Sequence, residues 1–312
     1  MAHTNTPVHL GNDVYLIDTL MAGLPGINAA YAILSEAPCL VETGTSLTAD
    51  TVRDGLAALG VGRADLAAIV VTHIHLDHAG AVGHLAEQFP NAQIWVHERG
   101  ARHLADPSRL MVGAQHVYGD VLARVFGFMR PADHTRVHVL GDGEKVDLGG
   151  GRYLTGHHTP GHAKHHLGLQ DSLTGDVFAG DAAGIYIPEI DLLKPATPPS
   201  DFDLDSALES LRLLVSLRPQ RLLYTHFGPA DGVADKLAVA AEELQIWVEV
   251  ARRAHAEQQS VDHAVAMVME ATRQRYARLH AAPSVEEKFD RLLPPAMNVE
   301  GIYQWLDKAE RG

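Results

Sequence analysis

The sequence predicts an α/β fold built in layers, and three observations lead to this prediction. Short apolar runs alternate with helical segments between residues 13 and 224. Several of these runs end close to a histidine or an aspartate. A helix-compatible segment at 98–136 interrupts the strand pattern, and the composition becomes helical from residue 231. We therefore expect a domain over 1–230 with a helical insertion at 98–136, and a C-terminal helical extension at 231–312 that packs on it.

The first part of the chain is typical of an antiparallel meander. Glycine and proline at Gly23–Gly26 mark a turn between the first two strands. A helix is predicted over 49–59, because Leu56 and Leu59 share one face and Gly60 follows. The predicted strands cover residues 13–18, 29–34 and 39–42.

A histidine-rich motif carries the strongest functional signal. It follows the apolar run 66–71, which is typical of a buried strand, and its ligand-type residues are His73, His75, Asp77 and His78. Side chains two positions apart in an extended chain point the same way, so His73 and His75 can reach one point. Asp77 and His78 come one turn later and can reach a second point nearby. Imidazole and carboxylate groups suit zinc, iron or manganese. Four ligand-type residues in six positions favour a metal site over a polar loop with solvated histidines.

Further strands and helices are predicted around the insertion. A helix over 80–88 and a strand over 93–97 follow the motif. The methionines and phenylalanines of the insertion suit the wall of an apolar pocket, and the alternative is a helix pair that only covers the core. Two apolar runs, at 137–140 and 144–148, flank Gly141-Asp142-Gly143, and this arrangement predicts a β-hairpin.

Two more ligand-type residues stand at turns after predicted strands. Pro160-Gly161 forces a turn that can present His162 towards the site. Asp181 directly follows an apolar run, where a carboxylate can bridge two ions. The strands predicted here cover residues 152–155, 166–170 and 174–179.

The region after Asp181 is predicted to cross the site and then return to regular structure. Residues 184–203 are rich in proline and are expected to be irregular, with Tyr186 either donating to a substrate oxygen or packing as a buried aromatic. The strand 222–224 delivers His226. A helix is predicted to begin at Asp203, with an apolar stripe formed by Leu204, Leu208, Leu211 and Val215.

The C-terminal extension is predicted to be a set of helices. Its first helix carries an apolar stripe, and a second helix runs from the N-cap Ser260 to about Leu279. Shorter helices are expected at 286–293 and 301–308. We expect this tail to roof the pocket or to form a homodimer. The stripe of the first helix consists of Leu237, Ala241, Leu244, Val248 and Ala251.

The composition is that of a globular protein without membrane segments. Hydrophobic residues make up 46% and charged residues 21% of the 312 residues. No apolar run reaches the roughly 18 residues that a transmembrane helix requires. Residues 1–11 lack the basic and apolar regions of a secretory signal, and the single Cys39 fits a reducing compartment. We therefore expect a cytoplasmic protein.

The charge argues against polyanionic partners. The chain has 39 acidic and 25 basic residues, a formal net charge of −14. This balance opposes binding to nucleic acid or to an anionic membrane, so the expected partner is a small-molecule substrate. The 20 histidines are unusual, and the motifs account for only some of them.

The polar motifs, taken in order, resemble those of the metallo-β-lactamase-fold superfamily. The resemblance covers about residues 8–230 and implies a four-layer αββα fold. Within the superfamily, the chain is similar to the branch of glyoxalase II and the lactonases. The motifs are His73-x-His75-x-Asp77-His78, Thr159-Pro160-Gly161-His162, Ala179-Gly180-Asp181 and Tyr224-Thr225-His226-Phe227-Gly228.

The resemblance also implies a dinuclear centre of two divalent metal ions, with zinc as the expected metal and iron or manganese as alternatives. Two such ions can ionise a bridging water molecule, and the resulting hydroxide attacks a small ester, thioester or lactone. The resemblance implies that Asp77 is the catalytic residue, which orients this hydroxide or receives its proton. The implied ligands are His73, His75 and His162 for the first ion, Asp77, His78 and His226 for the second, and Asp181 as the bridge between them.

Other activities of the superfamily are weaker alternatives. An iron-dependent persulfide dioxygenase generally has cysteine where this chain has His166, and a flavodiiron protein has glutamate in place of His75. A phosphodiesterase or nuclease would need a basic surface. Glu42 replaces the usual aspartate of an Asp-Thr-Gly motif, and the resemblance implies that Glu42, His158 and His166 support the ligands rather than bind metal.

Overall fold

The computed structural model describes residues 6–292 and 294–311. Its strands are β1 (Val8–Gly11), β2 (Val14–Asp18), β3 (Ala29–Ile33), β4 (Cys39–Val41), β5 (Ala68–Val70), β6 (Gln93–Val96), β7 (Val137–Val139), β8 (Lys145–Asp147), β9 (Tyr153–His158), β10 (Leu167–Asp171), β11 (Val177–Gly180), β12 (Ile185–Ile187), β13 (Leu192–Lys194), β14 (Leu222–Tyr224) and β15 (Gly228–Ala230). Its α-helices are α1 (Ala49–Ala58), α2 (Val82–Gln88), α3 (Glu98–Ala105), α4 (Ser108–Tyr118), α5 (Leu204–Ser216), α6 (Val233–Ala256), α7 (Val261–Thr272), α8 (Ala277–His280), α9 (Pro283–Leu292) and α10 (Pro295–Arg311).

Two large sheets contain thirteen of these strands, and β12 and β13 form a separate pair. The first has seven strands in the order β1 to β7, and the second has six in the order β15-β14-β11-β10-β9-β8. In the first sheet the predicted meander β2-β3-β4 is antiparallel, and the later pairs from β4 to β7 are parallel. In the second sheet β11 and β14 are parallel neighbours. Parallel strands end at the same edge of a sheet, and this arrangement brings their following loops together.

Alternating apolar residues hold the sheets face to face. Leu16 and Tyr31 of the first sheet pack with Phe178 of the second, and the rings of Tyr31 and Phe178 lie 5.2 Å apart. Cys39 lies in the same layer, buried between the sheets. The intervening residues, such as Ile17, point the other way into a core shared with the helices.

Helices cover the outer faces of the sheets. On the first sheet, Ile17 of β2 lies directly against the Gly55 position of α1. On the second sheet, Leu214 of α5 lies against Gly168 of β10. The helix–sheet–sheet–helix arrangement confirms the predicted αββα fold class. In the C-terminal part, α10 packs against both α6 and α7.

The predicted β-hairpin at Gly141-Asp142-Gly143 is wrong. The strand before it, β7, pairs with β6 in the first sheet, whereas β8 pairs with β9 in the second. The Asp-Gly signal specifies a local reversal, but Leu140 and Val146 bury their side chains from opposite sheets into the layer between them. The turn therefore marks the crossing of the chain from one sheet to the other.

Three predicted details in the later chain also differ. The segment expected to be irregular contains the antiparallel pair β12 and β13. The helix expected from Ser260 to Leu279 ends at Thr272 and is followed by the short α8, although Ser260 does cap α7 by accepting from the amide of His263. The stripe of α5 is rotated, since Val215 is 50% exposed and Ala207 and Leu214 are buried instead.

Among the residues that the structure describes, no helix has both the length and the apolar character needed to cross a bilayer.

Candidate metal centre

The predicted ligand residues come from the ends of strands in both sheets. The histidine-rich motif follows β5 of the first sheet. His162, Asp181 and His226 follow β9, β11 and β14 of the second. The structure brings all seven side chains together at one edge of the sandwich, where they form overlapping groups that could hold a metal ion.

The first group consists of three imidazoles. Nδ1 of His75 lies 2.9 Å from Nε2 of His73 and 2.9 Å from Nε2 of His162. The three ring nitrogens therefore surround one point. Three neutral imidazoles around a point form a donor set that suits zinc and other first-row transition metals.

The second group contains one carboxylate and two imidazoles. Oδ2 of Asp77 lies 3.2 Å from Nε2 of His226 and 3.9 Å from Nε2 of His78. Both imidazoles are fully buried. This group could hold a second ion beside the first.

Asp181 lies between the two groups. Its Oδ2 is 3.4 Å from Nε2 of His162 in the first group. Its Oδ1 is 3.4 Å from Nε2 of His78 and 3.8 Å from Nε2 of His226 in the second group. Each oxygen of this one carboxylate thus faces a different group.

The residues fit a metal centre, because several of their buried atoms lack another partner. Nε2 of His78, Nε2 of His226 and Oδ1 of Asp181 have no hydrogen-bond partner among the described residues. Leaving buried polar groups unsatisfied is costly, and nearly all such groups in proteins have a partner. Nitrogen and carboxylate donors that face inward without hydrogen bonds match the requirements of divalent cations.

Hydrogen bonds on the outer side hold the imidazoles in place. Nδ1 of His162 donates to the carbonyl oxygen of Ala196 at 3.0 Å, and Nδ1 of His226 donates to that of Ile27 at 2.7 Å. A histidine that donates from one nitrogen presents the lone pair of the other. These bonds therefore aim both Nε2 atoms into the centre.

The side chain of Glu42 lies beside the second group, although it is longer than that of the aspartate usual at this position. Its Oε1 accepts the amide of Thr72 at 3.1 Å, and its Oε2 lies 3.3 Å from Nδ1 of His78. Glu42 has a positive φ of 66° and is buried, so its backbone departs from the strand at this point. The carboxylate lies behind His78 at ion-pair distance, although neither Oε2 of Glu42 nor Nδ1 of His78 has a hydrogen-bond partner among the described residues.

His166 supports Asp181 through the backbone. Its Nε2 accepts the amide of Asp181 at 3.1 Å, so Nδ1 carries the proton that it shares with Oγ1 of Thr159 at 2.8 Å. Gly180 permits this contact, because a Cβ at that position would lie 2.5 Å from Nε2 of His166. The resemblance assigned His166 a supporting position, and its contacts fit that role.

Two predicted contributors lie elsewhere. His158 is exposed and packs on His97 with ring centroids 4.5 Å apart, and among the described residues no hydrogen bond or ring contact joins it to the seven. The hydroxyl of Tyr186 donates to Asp191 at 2.9 Å, and its ring packs on Tyr224. Tyr186 is therefore a buried, packed aromatic, as the alternative predicted, and it is absent from the lining of the cavity beside the centre.

Three residues that sequence reasoning missed line a cavity of about 40 Å³ beside the centre: Tyr118, Met297 and Asn298. Tyr118 ends α4 in the insertion, and Met297 and Asn298 belong to α10 in the C-terminal extension. None of the three lies in a ligand motif. In the sequence, the only signals for them were the apolar content of the insertion and the expectation that the C-terminal extension roofs the pocket.

Carboxylates and imidazoles in the centre shift each other's pKa. Burial and then the neighbouring His78 and His75 hold the pKa of His73 well below its usual value. Burial alone would lower the pKa of His78 as well, but the carboxylates of Asp181 and Asp77 raise it well above the usual value. Asp181 is itself kept ionised, because the adjacent histidines outweigh its burial and lower its pKa.

The chain belongs to the metallo-beta-lactamase superfamily, whose family model matches residues 8–226. It is 31% identical over 190 residues to the metallo-beta-lactamase fold-containing protein ST1585 of Sulfurisphaera tokodaii, covering 58% of this chain and 70% of that protein.

Solved structures share the fold. The crystal structure of the archaeal protein ST1585, from Sulfolobus tokodaii, has a TM-score of 0.63 at 25% identity, covering 76% of this chain and 86% of that one. The metallo-beta-lactamase family protein TTHA1429 from Thermus thermophilus has a TM-score of 0.66 at 20% identity, covering 97% of this chain and 95% of that one. The second likeness extends over the C-terminal helices.

Proposed function

We propose that this protein is a dinuclear metal-dependent hydrolase that cleaves a small ester, thioester or lactone. One observation carries the proposal: Oδ2 and Oδ1 of Asp181 face different groups of histidines, each at 3.4 Å from the nearest Nε2. A carboxylate in this position suits two ions that share it. Membership of the metallo-beta-lactamase superfamily supports hydrolysis as the reaction.

The seven convergent side chains are the proposed ligands. His73, His75 and His162 would hold the first ion, Asp77, His78 and His226 would hold the second, and Asp181 would serve both. When bound, divalent ions supply Lewis acidity and lower the pKa of a water molecule from about 15.7 to about 7. Zinc is the metal that we propose, with iron and manganese as alternatives that the same donors accept.

Asp77 is the proposed catalytic residue. Burial favours its neutral form, but the adjacent His78 and His226 outweigh this effect and hold the pKa of the Asp77 carboxyl below its usual value. The ionised carboxylate is an acceptor that can orient a water molecule and take its proton.

Tyr118 is the proposed hydrogen-bond donor to a substrate oxygen. It lines the cavity together with Asp77 and Asp181, and its hydroxyl makes no hydrogen bond within the described part of the chain. Burial, followed by the charges of Asp77 and Asp181, raises the pKa of Tyr118, so the phenol stays protonated and can donate.

The cavity walls support a small and partly apolar substrate. Apart from Tyr118 and the polar ligands, the lining includes Ile185, Pro198 and Met297. A volume of about 40 Å³ suits the reacting end of a small molecule. The formal net charge of −14 opposes nucleic acids as substrates.

We further propose that residues 1–230 form the catalytic domain, with 98–136 as an insertion near the pocket, and that 231–312 form an extension packed on it. A cytoplasmic location and a homodimer through the C-terminal helices remain predictions from the sequence.

Metal analysis and a hydrolysis screen on one preparation test the proposal. Purified protein should contain about two divalent ions per chain. It should hydrolyse a member of a panel of lactones, thioesters and activated esters, and lose this activity on chelation. Phosphodiesters are the control class and should not be cleaved.

Two results would contradict the proposal. One iron per chain with oxygen uptake on glutathione persulfide would identify a dioxygenase instead. Phosphodiester cleavage with no turnover of the carbonyl substrates would replace the proposed substrate class.

A further inference from the structure

A loop outside the ligand motifs holds the ring of His162. This loop, residues 195–198, follows β13, and the carbonyl oxygen of its Ala196 accepts Nδ1–H of His162 at 3.0 Å. The other ring nitrogen, Nε2, lies 2.9 Å from Nδ1 of His75. Because the imidazole is rigid, the position of the Ala196 carbonyl determines where Nε2 points.

Asn298 of α10 holds this loop on both sides of Ala196. Its Oδ1 accepts the amide of Thr197 at 2.8 Å, and its Nδ2 donates to the carbonyl of Pro195 at 2.8 Å. The Thr197 hydroxyl in turn donates to the backbone carbonyl of Asn298 at 3.0 Å. Asn298 is 8% exposed, so these bonds are shielded from competing water.

The helix and the loop are also in direct backbone contact. A Cβ at Gly301, one turn after Asn298, would lie 1.9 Å from the carbonyl oxygen of Thr197. Only glycine allows α10 to approach this closely. The approach puts the amide of Asn298 within reach of both Pro195 and Thr197.

We propose that Asn298 is a positioning residue of the metal centre. Asn298 fixes the 195–198 loop, the loop fixes the Ala196 carbonyl, and the carbonyl orients His162 so that Nε2 faces the first ion. This inference rests on the metal centre of the proposed function and does not depend on the substrate. It makes the C-terminal extension a part of the site.

Cobalt binding tests the inference without any assay of activity. Wild-type protein, Asn298→Ala and Val299→Ala are loaded with Co²⁺, and the visible absorption spectrum and the rate of metal loss to a chelator are recorded. Loss of a bond that orients a ligand typically costs about 10–100-fold in metal affinity, so Asn298→Ala should lose its first ion about 10–100-fold faster, with an altered spectrum.

Val299→Ala is the matched control. Val299 is the next residue of α10 and is fully buried in the helical core. Its truncation should lower thermal stability while leaving the cobalt spectrum and the dissociation rate at wild-type values. If both variants lose metal equally fast, the effect comes from loosening of α10, and the positioning role of Asn298 is overturned.

A milder variant covers the case in which Asn298→Ala does not fold. Thr197→Val removes only the hydroxyl bond to the backbone carbonyl of Asn298, a part of the same contact between α10 and the loop, and should give a smaller change of the same kind. Thr197→Ser keeps the hydroxyl and should behave like the wild type. Wild-type kinetics of metal loss in Thr197→Val, or in a folded Asn298→Ala, would overturn the inference.

The same samples separate this inference from the proposed function. A wild-type protein that binds cobalt but hydrolyses none of the carbonyl substrates contradicts the hydrolase and leaves the cobalt comparison of variants decisive for Asn298. A wild-type protein that binds no cobalt overturns the metal centre and the role of Asn298 with it.

Discussion

At the scale of single residues, the carboxylate of Asp181 connects the two groups of the centre. Asp181→Ala removes both oxygens and leaves His162, His78 and His226 without their shared counter-charge. We expect this variant to lose bound metal and hydrolytic activity together. Elemental analysis and an ester assay on the same sample measure both quantities.

Asp181→Asn is the matched variant, because it keeps the shape of the side chain and removes the charge. It should retain less metal than the wild type and more than Asp181→Ala. If Asp181→Ala keeps its metal content and its activity, the bridging assignment is wrong.

Glu42 gives a second prediction at this scale. Glu42→Gln keeps an acceptor for the Thr72 amide but weakens the interaction with Nδ1 of His78. Affinity for the second ion should fall about 10–100-fold, the usual effect of removing a group that orients a metal ligand. Metal titration should therefore show one site weakened and the other unchanged. Equal weakening of both sites would show that Glu42 acts on the fold and not on His78.

The raised pKa of His78 predicts that metal binding releases protons. Without metal, the carboxylates around His78 favour its charged form and so raise its pKa. The charged form stabilises the folded state at low pH, and this contribution to the free energy of unfolding is lost as the pH rises through the raised pKa. A metal ion must displace this proton, so the apparent affinity should rise with pH.

Calorimetric titration in two buffers of different ionisation enthalpy measures the protons released. Chelator competition from about pH 6 upwards, through the raised pKa of His78, measures the change in affinity. An affinity that is independent of pH across this range would contradict the prediction.

The residues of the site could be predicted from the sequence where a motif places several of them close together. Four ligand-type residues between His73 and His78 are conspicuous, and the structure brings them together with the three later residues. Their function as ligands stays a prediction. The contacts of His158 and Tyr186 could not be derived, because the direction of one side chain depends on packing that no local pattern encodes.

At the scale of elements, α4 brings Tyr118 into the cavity. Gly119 ends the helix with a positive φ of 50°, and the ring of Tyr118 packs on Phe126 with centroids 4.5 Å apart. Tyr118→Phe should lower kcat for the best substrate by roughly 10²-fold, the order seen when a donor to a developing oxyanion is removed. Bound metal and thermal stability should not change.

Tyr186→Phe serves as the control for Tyr118→Phe. Its hydroxyl contacts Asp191 rather than the cavity, so its kcat should stay close to that of the wild type. Equal losses in both variants would mean that Tyr118 acts through packing and does not donate to substrate.

Elements could be predicted from the sequence where periodicity and turn chemistry agree. The meander β2-β3-β4 and the strand pair β10-β11 follow from apolar runs between turns. The hairpin at Gly141–Gly143 failed, because the partner of a strand is chosen by long-range burial and not by the turn before it. The short strands β12 and β13 were not predicted, because the prolines of this segment favour irregular structure.

At the scale of the whole molecule, the centre joins the edges of both sheets. Metal ions that bind the folded centre and not the unfolded chain would therefore stabilise the fold. Ligand at about 100 times its Kd contributes about 2.7 kcal/mol, and in a domain of this size each kcal/mol moves Tm by roughly 2–4 °C. Chelation should thus lower Tm by about 5–10 °C, measured by calorimetry before and after metal is restored.

The comparison for this experiment is the Asp181→Ala variant. Since that variant is expected to hold no metal, chelator should leave its Tm unchanged. An equal drop in both proteins would point to a destabilising effect of the chelator itself.

The layered α/β class was accessible from the apolar runs of the strands, and the four-layer αββα arrangement from the resemblance of the motifs to those of the superfamily. The relation between the C-terminal helices and the site was not. Asn298 reaches the 195–198 loop across a separation of about a hundred residues, and nothing near it in the sequence indicates that contact.

The burial of Cys39 has a practical consequence for spectroscopy. Its thiol lies between the two sheets, and burial raises its pKa, so it resists alkylation while the protein is folded. Because it is the only cysteine in the chain, a thiol introduced on the outer face of α10 would be the single reactive position for a fluorophore or a spin label. Reporters of motion in this helix can thus be attached to an otherwise natural sequence.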